Sequence, residues 1–245
     1  MGLRSLDDNA VPQICSEPTD GEMLELVNFC FSYDGVPALH IPQLTLPVGG
    51  IIAVVGNNGA GKSTFSRCLC GLEKKFKGEV RINGQVWKKR QLLKNCYMVM
   101  QDVGHQLFTD SVAAECALGI KAPNKDEIDR TLEKVELLAY KERHPLSLSG
   151  GQMQRLAVVV SDICGKELLV FDEPTSGLDL KSMEEVGTLT RSLAAQGKVL
   201  LIITHDIEFM MRICTRILFI RDGEIVKDLS GGQKEKIVRL LRGEE

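Results

Sequence analysis

The chain has 245 residues, of which 44% are hydrophobic and 26% charged, and its formal net charge is −3. This length fits one domain, with room for a subdomain and a sizeable buried core. The mildly acidic balance gives no overall attraction to nucleic acid. No apolar run approaches the roughly 18 residues of a membrane-spanning helix, so we expect the chain itself not to cross a bilayer.

The eight cysteines follow no metal-binding or disulfide pattern. None falls in a C-x-x-C pair, and the closest two, Cys68 and Cys70, lie within a predicted helix. A chain of this length does not need disulfide staples. We therefore predict reduced and mostly buried thiols.

The first predicted element is a flexible arm over residues 1–22. This stretch has one basic residue, Arg4, and lacks the apolar centre of a secretory signal. It is rich in Asp, Pro, Ser and Glu, which favour disorder. A tag, a natural extension and a linker from a longer, tandem protein would all explain it.

After the arm, short apolar segments alternate with segments of helical spacing. Strands are predicted over residues 24–33, 41–48, 51–55, 78–84, 97–100, 168–171 and 199–203, with a hairpin over 217–226. Helices are predicted over residues 62–72, 179–195 and 234–242. Apolar strands that alternate with helices predict an α/β fold with a mostly parallel sheet that is covered on both faces.

Residues 111–161 interrupt this alternation with a long stretch of helical periodicity. One helical face is predicted to be apolar, and it carries Ile128, Leu132, Val135, Leu137 and Leu138. We therefore predict a helical subdomain inserted into the α/β core, with bounds of about 103–161.

A glycine-rich loop lies between the third strand and the first helix. The segment Gly56-Asn57-Asn58-Gly59-Ala60-Gly61-Lys62-Ser63 matches G-x-x-x-x-G-K-[ST]. Glycines let the backbone N–H groups point inward, and the helix start adds its positive dipole end. We expect Lys62 to reach the β- and γ-phosphates, Ser63 to bind Mg²⁺ and Thr64 to contact the α/β-phosphate oxygens. An ordinary turn with a solvated lysine is disfavoured by this strand and helix context, so the loop predicts MgATP binding.

Polar residues follow two apolar strands that are predicted to be neighbours of the loop. Asp172 and Glu173 follow one strand, and His205 follows the next strand. Ligands bind at the carboxyl ends of parallel strands. Asp172 is suited to hold Mg²⁺, Glu173 to accept a proton from the attacking water, and His205 to contact the γ-phosphate.

A second anion site is predicted at another helix start. In Leu148-Ser149-Gly150-Gly151-Gln152 a serine and two glycines open a helix, so their N–H groups are available to an anion. One ATP does not need two phosphate sites on one chain, whereas two chains that face each other head to tail do.

Taken together, these motifs resemble those of the nucleotide-binding domains of ABC transporters, over residues 23–227. The resemblance implies that Tyr33 stacks on adenine and that Gln101 contacts Mg²⁺ and water. It implies that Ser149, Gly150, Gly151 and Gln152 form the signature, and that the segment ending at Asp179 is the D-loop. Glu173 is then the catalytic glutamate and His205 the switch histidine.

The resemblance also implies an architecture and partners. The fold is expected to be a P-loop NTPase core with an N-terminal antiparallel β subdomain, in an ATPase domain over residues 23–228 with a C-terminal helix over 229–245. The cofactors implied are ATP and Mg²⁺. The partners implied are a second cassette and an integral membrane transport subunit, at the cytoplasmic face of the membrane, and no nucleic acid.

The segment from Gln101 to Phe108 resembles that of one particular class of ABC transporter. It is similar to the equivalent segment of energy-coupling factor (ECF) transporter ATPases, in which Gln-Leu-Phe-like residues follow the glutamine. Those ATPases energise the uptake of vitamins or of nickel and cobalt ions. The compact length agrees, whereas Ala113–Ala117 lacks an additional acidic residue that we would expect.

Two other classes of function are open to the same fold. A soluble ABC ATPase that acts on ribosomes or DNA usually has two cassettes, a long coiled coil or a basic extension, and none is visible. A structural cassette without hydrolysis would lose Glu173 or His205, and both are present.

The five letters of the signature occur a second time, at Leu229-Ser230-Gly231-Gly232-Gln233. This copy follows the last predicted hairpin and lacks the Gln-Arg-Leu continuation of the first copy. We interpret it as a helix N-cap, at Ser230 or Gly232, and residues 148–152 as the functional signature.

Overall fold

Two β-sheets and seven α-helices make up the part of the chain that the computed structural model describes, which is residues 23–230 except Lys74, with Gln233 and Arg239. The smaller sheet is antiparallel and has the strand order β2-β1-β4-β5. Its strands are β1 (Met23–Tyr33), β2 (Val36–Pro47), β4 (Lys77–Ile82) and β5 (Gln85–Val86). The expected N-terminal antiparallel subdomain is therefore confirmed.

The larger sheet has the order β10-β9-β3-β8-β7-β6 and is parallel except for the β9–β10 hairpin. Its strands are β3 (Ile51–Val55), β6 (Cys96–Val99), β7 (Leu168–Asp172), β8 (Val199–Ile203), β9 (Arg216–Arg221) and β10 (Glu224–Ser230). All residues of β3 and β8 are buried. This burial on both faces explains why these strands are continuous apolar runs.

The helices are α1 (Lys62–Leu69), α2 (Lys89–Asn95), α3 (Val112–Ala117), α4 (Lys125–Lys134), α5 (Gly150–Ile163), α6 (Leu180–Ala195) and α7 (Ile207–Ile213). The sequence did not predict α2 or α7. Only Leu92 is buried in α2, so the helix has almost no apolar face to detect. In α7 the missed signal is Asp206, whose carboxylate accepts from Phe209 N at 2.9 Å as an N-cap.

The two larger of the three apolar clusters in the described residues pack against the larger sheet. One packs α1 and the antiparallel sheet against alternate residues such as Val54 and Val170. The other packs α5, α6 and the helical segment against the intervening residues, such as Leu169 and Phe171. The predicted apolar face of residues 128–138 lies in this second core, which ties the inserted helices to the sheet.

The helical subdomain is less regular than the sequence periodicity indicates. Between α3 and α5 the chain forms α4 and two 3₁₀ turns, Leu138–Tyr140 and Pro145–Ser147. Glu136 has a φ of 57°, in the left-handed region, so the chain cannot continue as an α-helix beyond the end of α4.

Further predictions concern the ends of the chain, the cysteines and membrane spans. The boundary before Leu229 is corrected, because Leu229 and Ser230 belong to β10, and Ser230 pairs with Arg216. The arm over residues 1–22 lies outside the described residues, and so does the helix over 234–242 except for Arg239, so both stay predictions. All the cysteines within the described range are free thiols, and Cys68, Cys70, Cys96 and Cys116 are buried. Among the described helices, none combines the length and the apolar character that a membrane span requires.

Candidate nucleotide site

The loop between β3 and α1 packs against the neighbouring strand β9 and against strand β2 of the antiparallel sheet. Gly56 has a φ of 155°, and a Cβ atom there would overlap the carbonyl oxygen of Ile220 in β9. Gly61 has a φ of 105°, and a Cβ there would lie 3.2 Å from the carbonyl oxygen of Ala38. Glycine is required at both positions, because a side chain would displace the loop from its neighbours.

Lys62 lies inside the curl of this loop. Its Nζ donates to the carbonyl oxygens of Gly56, at 2.6 Å, and Asn57, at 3.0 Å. Burial lowers the pKa of Lys62, and the nearby carboxylates of Glu173 and Asp172 act in the opposite direction. The loop thus curves around one cationic group, whose charge is favoured by two carboxylates.

An open cavity of about 930 Å³ lies against the loop. This volume is within the range of small-molecule sites. Most of the predicted nucleotide and catalytic residues line it, and these are Tyr33, Asn58, Gly59, Gly61, Lys62, Ser63, Thr64, Gln101, Asp172, Glu173 and His205. The structure therefore brings the loop together with residues at or just beyond the ends of strands β1, β6, β7 and β8.

Three predicted loop residues do not line this cavity. Gly56 and Asn57 line a smaller neighbouring cavity of about 220 Å³, together with Thr204 and His205. Ala60 is buried, and its carbonyl oxygen accepts from Gly223 N at 2.9 Å. These residues therefore hold the loop in its conformation and are not part of the surface that faces the large cavity.

Sequence reasoning missed several residues that line the large cavity. Pro37 and Ala38 come from the antiparallel sheet, and Asp222 and Gly223 form the β9–β10 turn. The turn was recognised as a hairpin, but only the sheet order places it beside the loop. Ser176 also lines the cavity, and its position in the D-loop motif was the available signal.

The carboxylate pair lies where β7 ends. Burial raises the pKa of Asp172, the neighbouring charge of Glu173 adds to this, and Lys62 opposes it. Glu173 has a φ of 50°, in the left-handed region that non-glycine residues seldom adopt, and its N–H donates to Ile203 O at 2.8 Å. Its Oε1 lies 3.7 Å from His205 Nε2. The predicted proton acceptor and the predicted switch histidine are therefore neighbours.

The cavity has the donor set that Mg²⁺ prefers. Ser63, Gln101 and Asp172 all line it, and they supply a hydroxyl, an amide and a carboxylate. Mg²⁺ is usually held by one or two carboxylates together with substrate phosphates and water. Within the described residues no group of three or more His, Cys, Asp or Glu side chains is arranged to hold a metal ion. The residues present thus fit a Mg²⁺ ion that enters with a nucleotide.

The signature residues lie apart from this cavity. Ser149 caps α5, since its Oγ accepts from Gln152 N at 3.3 Å, while Ser149 N donates to Gln152 Oε1 at 2.9 Å. Apart from its chain neighbours and its own helix backbone, no described atom lies within 4 Å of a Cβ placed on Gly150. None of the residues from Ser149 to Gln152 lines the large cavity, so they form a second, open surface.

Asp179 groups with the signature and not with the cavity. It caps α6, because its Oδ1 accepts from Ser182 N at 2.8 Å, and hydrogen bonds from Ser182 lower the pKa of Asp179. A Cβ on Gly151 would lie 3.4 Å from Leu178 Cδ2. The D-loop and the signature therefore pack together on one side of the chain.

Comparisons with known proteins agree with this geometry. Residues 39–176 match the family model described as ABC transporter. A putative ABC transporter ATP-binding protein of Treponema denticola is 55% identical over 189 residues, which cover 77% of this chain and 39% of that protein. The chain thus spans well under half the length of this relative.

Two further similarities concern the kind of transporter. The energy-coupling factor transporter ATP-binding protein EcfA of Methanothermobacter thermautotrophicus is 34% identical over 219 residues, covering 84% of this chain and 70% of that protein. The structure of cbiO1 from Clostridium perfringens, part of the ABC transporter complex cbiONQ, superposes with a TM-score of 0.78 at 25% identity, covering 90% of this chain and 93% of that one. The family match and the 34% identity to EcfA show that the chain belongs to the ABC transporter family.

Proposed function

We propose that this domain powers an ECF-type importer by closing with a second cassette on two MgATP molecules. The observation that carries the proposal is the separation of the two anion-binding surfaces. Lys62 and the catalytic candidates line the cavity, whereas Ser149 to Gln152 lie outside it with an open approach to Gly150. Each ATP is then held by the loop of one cassette and the signature of the other.

Within one cassette, each cavity residue has a separate task. Tyr33 is 47% exposed and is held edge-to-face by Phe31 at 4.7 Å, so its free ring face is available to adenine. Lys62 binds the β- and γ-phosphates, and Thr64 contacts the α/β-phosphate oxygens. When bound, Mg²⁺ would be held by Ser63, Gln101 and Asp172, and it would neutralise charge on the phosphates.

The hydrolytic step needs a proton acceptor beside the γ-phosphate. Glu173 accepts a proton from the attacking water, and His205 contacts the γ-phosphate at the end of the neighbouring strand. The contacts of the Glu173 carboxylate with Thr204 and His205 hold it at the wall of the cavity.

The segment 101–108 is placed to transmit closure to a membrane subunit. Gln106 fastens it to the core, since its Nε2 donates to Met98 O at 2.8 Å and its Oε1 accepts from Met100 N at 3.1 Å. At its other end, the buried carboxylate of Glu115 accepts from Phe108 N at 3.1 Å, so the segment is also fastened to α3. Phe108 itself is 69% exposed. We infer that a membrane subunit at the cytoplasmic face contacts this segment.

The likeness to EcfA and to cbiO1 supports an ECF-type importer, with a vitamin or a metal ion as the solute. A pull-down from detergent-solubilised membranes tests this part of the proposal. Recovery of an integral membrane protein is the expected result. Recovery of nucleic acid without a membrane protein would instead favour an ATPase that acts on ribosomes or DNA.

A mixing experiment tests the shared site. A Lys62→Ala chain and a Ser149→Arg chain are each expected to be inactive, because every site in either dimer contains a defect. A mixed dimer has one site built from the intact loop of one chain and the intact signature of the other. Equal mixing should therefore restore ATP hydrolysis, and a mixture as inactive as its components would refute a site shared between two copies.

A further inference from the structure

Thr204 lies between the two residues to which we assign the chemistry and was not among the predicted site residues. It is fully buried and follows the last residue of β8, directly before His205. Its Oγ1 lies 3.2 Å from Glu173 Oε2 and 3.1 Å from Asp206 N. The single hydroxyl therefore contacts both the carboxylate and a backbone amide.

The amide of Asp206 fixes the direction of the Thr204 hydroxyl hydrogen. A backbone N–H can only donate, so the hydroxyl oxygen acts as the acceptor in that contact. The hydroxyl has one hydrogen of its own, and an ionised carboxylate can only accept. Thr204 must then donate to Glu173 Oε2, which makes the contact a charge-assisted hydrogen bond.

Asp206 is itself held by two elements. Its Oδ1 accepts from Phe209 N at 2.9 Å as the cap of α7, and its Oδ2 accepts from Thr175 Oγ1 at 3.3 Å. Thr175 belongs to the loop that follows Glu173. The frame that orients the hydroxyl thus joins the ends of β7 and β8 to α7.

The two carboxylate oxygens of Glu173 have different surroundings. Oε2 accepts from Thr204 Oγ1 and, at 3.4 Å, from His205 N. Oε1 lies 3.7 Å from Nε2 of the His205 ring. Since Glu173 lines the large cavity, the oxygen engaged by Thr204 is the anchored one, and the other is available to face a water molecule.

We propose that Thr204 is a positioning residue for ATP hydrolysis, whose hydroxyl anchors one oxygen of Glu173 so that the other accepts the proton of the attacking water. This inference rests on the proposed role of Glu173. Misplacing a reacting group by about 1 Å costs about 10²-fold in rate, so the loss of this anchor is expected to act on kcat.

The test compares Thr204→Val, which has nearly the same shape but no hydroxyl, with Thr204→Ser, which keeps the hydroxyl. Steady-state ATP hydrolysis by the full chain should show kcat lower by about 10- to 100-fold in the valine variant, with KM for ATP nearly unchanged. The serine variant should stay within about threefold of the unchanged chain. Thr190→Val is the matched control, because Thr190 is also fully buried but bonds Val186 O within α6, at 2.7 Å.

The same substitution in a Glu173→Gln chain distinguishes failure of this inference from failure of the proposed function. In a Glu173→Gln chain, adding Thr204→Val should leave the residual rate of ATP hydrolysis unchanged, because the carboxylate that the hydroxyl positions is already absent. A further loss there would show a general structural role and overturn the inference. If Glu173→Gln alone keeps full activity, the proposed function fails; if it is inactive while Thr204→Val is normal, only the positioning role fails. Thr204→Ala serves the same comparison if the valine variant does not fold.

Discussion

The cavity around Lys62 and the surface around Ser149 are the two phosphate sites that we propose, yet they are organised in opposite ways. The cavity is lined by residues far apart in the sequence, from Tyr33 to Gly223, and its lysine is buried while its carboxylates are partly buried. The signature is one continuous segment at the start of α5, and it satisfies its own cap through Ser149 and Gln152. A concave site and an exposed helix start are complementary shapes. The difference supports our proposal that one chain carries both halves of a shared site, on separate surfaces.

The largest effect is expected from a substitution in the cavity. Lys62→Ala removes the cation from the loop, and the affinity for MgATP should fall by about 10²-fold or more, because a charge-assisted contact to phosphate is lost. Equilibrium binding of a fluorescent ATP analogue to the chain at low concentration measures this. Unchanged affinity would break the comparison, since the loop would then not be the primary phosphate site.

Ser149→Ala tests the signature half. Hydrolysis should fall by about 10²-fold, the size of effect seen when one donor to a developing charge is removed, while nucleotide binding to the dilute chain stays nearly unchanged. Steady-state hydrolysis and analogue binding are measured on the same preparation. The matched control is Ser230→Ala, in the second copy of the five-letter motif, which should leave both values unaltered; the reverse pattern would reassign the signature.

Arg155→Met tests how the signature helix is attached to α6. Arg155 Nη1 is paired with Glu185 and lies 3.5 Å from Ser182 Oγ, and both side chains of the ion pair are largely shielded from solvent. Leaving Glu185 without this partner should reduce the free energy of unfolding by about 3 kcal/mol. Urea denaturation measures it, and Lys141→Met is the control.

The control pair is Lys141 with Asp129, at 2.8 Å, in which both side chains are more than a third exposed. Surface pairs of this kind contribute much less than shielded pairs, because water and salt screen the charges. Equal losses from Arg155→Met and Lys141→Met would mean that the link between α5 and α6 is no stronger than a surface contact.

The smallest effect is expected at the rim of the cavity. Tyr33→Ala should weaken ATP binding by about tenfold, because stacking of a base on an aromatic ring contributes about 1–3 kcal/mol. Tyr33→Phe should keep the original affinity for ATP, since only the ring face is needed for stacking. Competition between ATP and inorganic triphosphate sharpens the result, because the alanine variant should lose its preference for ATP without losing triphosphate binding.

Local chemistry made much of this site predictable. The loop from Gly56 to Ser63, the strand that ends in Asp172 and the helix start at Ser149 each carry a pattern over a few adjacent residues. Two parts of the site could not be predicted from local sequence patterns. Asp222 and Gly223 lie at the cavity because of the order of strands in the sheet, which the sequence does not show. Thr204 directly follows an apolar strand, so nothing in its local sequence indicates that its hydroxyl contacts Glu173.

Helix α2 shows a different limit of sequence reasoning. It buries only Leu92, and its other positions are polar or exposed, so neither periodicity nor composition distinguishes it from a loop. Its one buried side chain, Leu92, lies close to a residue outside the helix, since a Cβ placed on Gly71 would lie only 3.1 Å from Leu92 Cβ.

The closeness of Gly56 to Ile220 has a consequence for engineering. The loop keeps its curl because its first glycine rests directly on the backbone of β9, a strand that lies far along the chain. Grafting the loop residues onto another strand–helix junction would transfer the letters but not this support. A transplanted loop should therefore bind nucleotide only in a host whose sheet offers a carbonyl at the same place.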